Sequence, residues 1–165
     1  MGLERIEIQL TVIQGEGLVA KDKNLLGKKT SSDPYVEVLC NRKRVGITAT
    51  KQKTLNPVWN KIISFGIKAP SPFILKVYDE DMLSTPDLMG ALTIPCPTTP
   101  GITSAWYDIP PDSAKNASGK LEVRIETKFI TSQSLVRGNE FDLKGMDLVQ
   151  LGLAWDMIQG KAVDL

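Results

Sequence analysis

Hydrophobic and polar residues alternate with a period of two through most of the chain. Ile6, Ile8, Leu10 and Val12 take turns with Glu7, Gln9 and Thr11, the pattern of a strand with one face in a core and the other in water. Similar short runs cover residues 35–39, 45–50, 61–67, 73–78, 89–94, 105–109 and 121–129, so the pattern predicts eight strands. Turn-rich stretches separate them: Gly15-Glu16-Gly17, Asn56-Pro57, Ala69-Pro70-Ser71-Pro72, 95–101 and 110–119. No convincing amphipathic helix occurs before residue 130. The expected fold is all-β, an eight-stranded antiparallel sandwich with a C-terminal extension. In such a fold the connecting loops gather at two ends, where residues distant in sequence can meet.

From about residue 130 the pattern changes. Residues 131–139 (TSQSLVRGN) are polar and contain Gly138, as a linker does. Residues 141–165 form a second apolar segment, too short to bury a core of its own. The expected organisation is one domain over 1–130, a linker over 131–140 and a tail over 141–165. That tail packs on the sandwich, is disordered, or begins another domain.

Composition narrows the chemistry. At 165 residues and 42% apolar, the chain suits one domain of ordinary size. It contains no histidine, which excludes Ser-His-Asp and Cys-His catalysis and His-ligated metal sites. Cys40 and Cys96 lack CxxC spacing and are expected as reduced thiols in or near the core. The first ten residues mix Glu4, Arg5 and Glu7 with apolar positions, unlike a signal peptide, and no apolar run approaches a membrane span. A soluble, cytoplasmic protein is the expectation. The net charge of +1 lacks the basic excess of a nucleic-acid binder, so no nucleic-acid partner is expected. That near-neutrality is a cancellation: residues 1–60 hold ten basic and six acidic side chains, and residues 61–165 hold ten and thirteen.

Two segments carry candidate chemistry, 17–36 (GLVAKDKNLLGKKTSSDPYV) and 77–90 (VYDEDMLSTPDLMG). Asp79, Asp81 and Asp87 lie just beyond the strand 73–78. On an extended backbone Asp79 and Asp81 point one way and Glu80 the other. Unpaired, such carboxylates repel one another, and a hard cation is the simplest remedy. Ca²⁺ takes six to eight oxygen ligands in flexible geometry, which loops supply readily. Pro34 follows Asp33 and SSDPYV runs directly into a strand, so Asp33 also sits at a strand edge.

In combination, GLVAKDK, SSDPYVEV, TLNPVWN and VYDEDMLSTPDLMG resemble the calcium-dependent phospholipid-binding C2 domain over roughly residues 4–129. The resemblance implies a Greek-key sandwich, and the way 6–13 leads into the first loop while GKLEVRI supplies the last strand looks like the type II topology of that family. It implies a metal site made by Asp22, Asp33, Asp79, Asp81 and Asp87, with Ser84 adding an oxygen, holding two Ca²⁺ ions. Ten residues separate Asp22 from Asp33, about twice the usual number. The extra length around 24–30 either splays the loop and removes Asp22 or points outward and leaves it in place.

Leu25 and Leu26 in the first loop and Met82 and Leu83 in the third are apolar where a sandwich does not need them, so they either fold back on it or insert into membrane. Lys21, Lys23, Lys28 and Lys29 flank the first pair. Partial burial in lipid contributes on the order of 1–2 kcal/mol for each of the four, enough for reversible attachment. The family resemblance makes Arg42, Lys43, Arg44, Lys51 and Lys53 an anionic-lipid patch, for phosphatidylserine or a phosphoinositide. Glu37, at a position basic in some phosphoinositide-binding relatives, counts against the latter. Trp59 and Trp106 are expected in the core.

In the tail, LGLAWD and VDL resemble the opening of the TerD-like tellurite-resistance stress-protein domain. The leading expectation is a non-enzymatic, Ca²⁺-dependent module that binds anionic phospholipid membranes reversibly. The alternatives are a calcium-independent lipid- or protein-binding domain and the regulatory piece of a larger enzyme. No nucleophile-base pair or Gly-rich phosphate loop is visible in the chain.

Overall fold

The computed structural model describes residues 2–133. Ten strands follow in chain order: β1 (Leu3–Glu16), β2 (Asp22–Lys23), β3 (Lys29–Ser31), β4 (Pro34–Cys40), β5 (Lys43–Ile47), β6 (Val58–Ile67), β7 (Phe73–Asp79), β8 (Asp87–Ile94), β9 (Gly101–Asp108) and β10 (Lys120–Thr131). Eight of them form two four-stranded sheets, ordered β6-β1-β10-β9 and β5-β4-β7-β8, while β2 and β3 make a separate ribbon. The pairings β1–β6, β9–β10, β4–β5, β4–β7 and β7–β8 are all antiparallel. Arg5–Phe129 form one compact unit, and the described residues 2–4 and 130–133 belong to a second. In the second unit the Ser132 hydroxyl donates to Glu4 Oε1 at 2.6 Å.

All eight expected strands are present, because the period-2 pattern has one physical solution here. Ile6, Ile8, Leu10 and Val12 of β1 meet Val36, Val38, Phe73, Leu75, Val77, Met89, Ile94, Leu121, Val123 and Ile125 in one core. Slipping any strand by one residue would turn these side chains to water. The Phe65 and Phe73 rings meet edge to face at 5.6 Å, joining the two sheets through aromatic contact. Cys40 is buried and Cys96 half-buried, both as free thiols.

Three local features differ from the sequence pattern. The strand expected over 45–50 ends at Ile47, because the buried Thr48 hydroxyl accepts from the Val36 amide and takes the place of a ladder carbonyl. Trp59 is buried as expected, its indole N–H donating to Pro34 O, but Trp106 is 40% exposed. In the β9–β10 register Trp106 stands opposite Glu122 on the outer face, and Lys120 Nζ lies 4.8 Å from its ring centroid. The stretch 24–30, expected as loop, is the tip of the β2–β3 hairpin over 24–28 and the start of β3 at Lys29 and Thr30.

The end of the sandwich carrying the first loop is pinned by close backbone packing. Gly119 has φ +90°, and a Cβ there would lie 2.4 Å from Glu16 O and 2.7 Å from Gly17 backbone atoms. Neither the left-handed conformation nor rigid backbone at that distance accommodates a side chain. Gly119→Ala is expected to destabilise the fold by roughly 2 kcal/mol, lowering the melting temperature by roughly 5–10 °C in a calorimetric scan. An unchanged melting temperature would contradict this packing.

Candidate functional site

Strand register brings the acidic residues together. Pro34 pairs with Asp79, and Asp79 pairs with Asp87. Asp33, Asp79 and Asp87 therefore share one end of the β5-β4-β7-β8 sheet. Two short hydrogen bonds lock the level: the Asp33 amide donates to Asp79 Oδ1 at 2.6 Å, and the Glu80 amide donates to Asp33 O at 3.0 Å. The Lys53 amide donates to Asp33 Oδ1 at 2.6 Å, attaching the 48–57 connection to the same end.

The first loop reaches this end through its root. Ser32, fully buried, accepts from the Lys21 amide and donates to Val19 O. Asp22 then pairs with Ser31 in the hairpin. Asn24 Oδ1 accepts from the Leu26 and Lys28 amides, while Gly27, at φ +75°, closes the tip. The extra residues thus extend the ribbon beyond Asp22 without withdrawing Asp22 itself. Asp22 remains close enough to Asp33 and Asp81 for their charges to act on its carboxyl.

Electrostatics record the crowding. Burial first, and then the charges of Asp33 and Asp81, push the Asp22 carboxyl above its usual range. Asp79 is 4% exposed, and burial raises its pKa to about 6, against the opposing hydrogen bond from the Asp33 amide and with further upward pressure from Asp22, Asp33 and Asp87. Asp81 differs: it is exposed, and the Ser84 hydroxyl at 2.6 Å and the Leu83 amide at 2.9 Å hold its carboxyl below the usual range. Among the described residues the ion pairs are Arg5–Glu7, Lys120–Glu16, Arg124–Glu126 and Lys128–Glu126. None of them neutralises an aspartate of this cluster.

The five aspartates and Ser84 therefore lie at one end of the sandwich, but they do not form a closed metal cage as they stand. Among the described residues no group of three or more acidic, histidine or cysteine side chains has the spacing to hold an ion. Asp81 and Ser84 satisfy each other, and Asp33 and Asp79 each accept a backbone amide. A hard cation suits the donors chemically, since all are oxygens and two of the carboxyls resist ionisation without one.

The four apolar tip residues stand clear of the core: Leu25 is 106% exposed, Leu26 91%, Met82 94% and Leu83 96%. They do not fold back on the sandwich. The hairpin presents the first two, and the turn built on Asp81 presents the others. Lys23, Lys28 and Lys29 are exposed beside Leu25 and Leu26. Lys21 is tied down, its ammonium donating to Lys115 O at 3.0 Å.

The remaining basic residues fall into two places. Lys51 and Lys53 lie beside the aspartates, their amides bonded to Pro34 O and Asp33 Oδ1. Arg42, Lys43 and Arg44 occupy the β4–β5 turn and the start of β5, where Cys40 pairs with Lys43. That turn is at the opposite end of β4 from Asp33, about 20 Å away along seven residues of strand. Sequence reasoning overlooked Ser32, Asn24 and Asn56, whose Oδ1 accepts from the Gly17 amide. Small polar residues beside glycines and at loop roots were the available signal.

Relatives match this architecture. The sequence model of the C2 domain matches residues 7–109. The chain is 43% identical over 89 residues to the multiple C2 and transmembrane domain-containing protein 1 of Rattus norvegicus, a match that covers 53% of this chain and 9% of that protein. It is 40% identical over 88 residues to the protein C2-DOMAIN ABA-RELATED 11 of Arabidopsis thaliana, covering 50% of this chain and 46% of the relative. The chain thus spans less than half the length of either relative. In structure it resembles a C2 domain of a plant extended synaptotagmin 1, with a TM-score of 0.65 at 25% identity over 76% of this chain and 96% of that one. The calcium-bound pair of C2 domains of extended synaptotagmin 2 gives a TM-score of 0.64 at 21% identity over 88% of this chain and 54% of that one. Sandwich, strand pairings and sequence agree, and the chain belongs to the C2 domain family.

Proposed function

We propose that this domain binds anionic phospholipid membranes in response to Ca²⁺. Asp22, Asp33, Asp79, Asp81 and Asp87 would hold two ions, with Ser84 as a further oxygen donor. The observation that carries the reading is the buried Asp79 carboxylate, surrounded by the charges of Asp22, Asp33 and Asp87, with no ion pair to it among the described residues. Bound calcium would take the local charge from minus five to about minus one and offer lipid phosphate an open coordination position. Leu25, Leu26, Met82 and Leu83 would enter the headgroup region, with Lys23, Lys28 and Lys29 against anionic phosphates. Lys51 and Lys53 would extend that basic rim, while Arg42, Lys43 and Arg44 would meet lipid only in a different orientation. We also read the topology as type II, supported by β1 running straight into the first loop. The calcium-bound relative supports the ion assignment at the level of the shared fold.

Loops that need rearrangement bind weakly, so calcium affinity without lipid is expected at roughly 10⁻⁴ M or poorer, tightening when lipid binds the loaded form preferentially. Sedimentation with vesicles of phosphatidylcholine and phosphatidylserine tests the reading. The protein should pellet with millimolar calcium and stay in the supernatant with chelator. Asp79→Asn combined with Asp81→Asn should reduce calcium-dependent pelleting at least tenfold. Equal pelleting with calcium and chelator would overturn the calcium switch and favour a calcium-independent binding domain.

The raised Asp79 pKa gives a separate test. The folded chain holds this proton more tightly than the unfolded chain does. The group therefore favours folding fully below about 3.8 and loses that contribution as pH rises through about 6. Asp79→Asn removes the titration and keeps a carbonyl oxygen for the Asp33 amide. In chelator, variant and wild type should melt together near pH 4, with the variant a few degrees higher near pH 7. Millimolar calcium should reverse the order at neutral pH, because the variant has lost a ligand. A difference in melting temperature independent of pH would contradict the assignment.

A further inference from the structure

Each sheet ends in two edge strands, and three of the four are guarded. The edge of β8 is covered: the Ala91 amide donates to Ser113 Oγ at 3.0 Å, and a Cβ on Gly90 would lie 2.4 Å from the Ile109 side chain. On β5 Lys43 and Arg44 supply positive charge over only five residues. On β6 Lys61 is charged and Asn60 takes a left-handed conformation, φ 48°. Charge, irregular backbone and a covering segment are the usual means of keeping a sheet edge from pairing.

The fourth edge, β9, is less protected: its charge is confined to Asp108 and its one positive-φ position to Gly101, at the two ends of the strand. Residues 101–107 (GITSAWY) carry no charge, and β9 pairs with β10 through eight consecutive positions without a bulge. Among the described residues β9 makes no backbone hydrogen bond beyond that ladder. Its outer face exposes Ile102 at 60% and Trp106 at 40%, with Ser104 between them. Over 101–107 this is an uncharged stretch whose outward backbone donors and acceptors have no partner among the described residues.

The side-chain order of β9 suits a second copy of itself. Antiparallel pairing about a two-fold axis at Ser104 places Ile102 opposite Trp106 of the other copy, twice, with the serines meeting at the centre. It also places Gly101 opposite Tyr107. Aromatic residues opposite aliphatic ones, or opposite an edge glycine, are favourable cross-strand pairs. Shifting the axis to Ala105 would set Ile102 against Asp108, and shifting it to Thr103 would shorten the match and bring Pro100 opposite Trp106.

The pairing has a geometric consequence. Asp108 pairs with Lys120, whose ammonium reaches Glu16 at 3.6 Å, while the Ser118 hydroxyl donates to Gly17 O at 3.0 Å. The Asp108 end of β9 is thus the end that carries the first loop and the aspartates. Because paired edges run antiparallel, the two aspartate clusters of a dimer face opposite ways.

We propose that two copies of this chain pair antiparallel along β9, centred on Ser104, into a dimer whose aspartate clusters point in opposite directions and bridge two anionic membranes. The bridging half rests on the proposed membrane binding; the pairing half does not. One strand per copy is a small contact, so the dimer is transient and accumulates at high protein concentration.

Sedimentation velocity in chelator, without lipid, from about 10 µM to about 1 mM tests the pairing alone. The mass should rise from 18.1 kDa toward twice that value, and Ile102→Lys, verified as folded by its circular dichroism, should remain monomeric. As a second measure, Ser104→Cys should cross-link to itself on mild oxidation well above the wild-type background from Cys40 and Cys96. Ile102→Cys, which faces Trp106 in this register, should not. A wild type monomeric at all concentrations, or Ser104→Cys cross-linking no faster than Ile102→Cys, would overturn the pairing. With phosphatidylserine vesicles and calcium, the wild type should cluster vesicles in light scattering, while Ile102→Lys should pellet with them and cluster at least fivefold less. Equal clustering by the two proteins would overturn the bridging. Failure of the wild type to pellet would overturn the membrane reading and its bridging consequence, while the lipid-free measurements still decide the pairing.

Discussion

The structure turns on a conflict between register and charge. The hydrophobic alternation of β4, β7 and β8 fixes which residues pair, and that register places Asp79 between Pro34 and Asp87 at one level of the sheet. Moving the carboxylates apart would require a strand to slip, and a slip of one residue would expose Val36, Val38, Leu75 and Val77. The core therefore holds the aspartates where their charges oppose one another. Asp79 shows the result most clearly: buried at the strand end, it takes a proton more readily than a free carboxyl, and no ion pair neutralises it among the described residues.

The loops are organised around the same point. Ser32 and Asn56 fasten the root of the first loop, and Gly119 lets the β9–β10 connection close against it. With the root held, the tip is free to differ. Asn24 and Gly27 build a hairpin that extends Leu25 and Leu26 into solvent, and Asp81 organises the turn that presents Met82 and Leu83. Exposed leucines at a turn are costly in water unless something covers them. Their shared location with the aspartates links the charge conflict to a surface suited to lipid.

Much of this was legible in the sequence, and the reasons for the gaps are physical. Eight strands followed from alternation because each buries one face. The β2–β3 ribbon did not, since two and three residues are too few to show a period. Asp33, Asp79, Asp81 and Asp87 were legible because DPYV and D-x-D-x₅-D tie carboxylates to strand boundaries, whereas Asp22 came only with the family resemblance. Trp106 was misplaced because residue type outweighed parity: it stands opposite Glu122, on the wet face of an edge strand. The distance from Arg42, Lys43 and Arg44 to the aspartates was hidden because a linear run does not say at which end of the sandwich a turn falls. The partner of Lys21, the Lys115 carbonyl, is 94 residues away and no local pattern announces it. The TerD-like resemblance over 141–165 and most of the expected linker lie outside the described residues.

The central claim is that the register-held aspartates form a calcium site. It predicts where calcium must be felt, because the amides of Asp33, Lys53 and Leu83 donate to carboxylates of Asp79, Asp33 and Asp81. A calcium titration of the lipid-free protein followed by amide NMR tests this directly. Saturable shifts concentrated at these three amides and along 79–87, with the β4–β5 turn unmoved, are the result the account predicts. No shift up to about 10 mM calcium, or shifts centred on the β4–β5 turn, would contradict it.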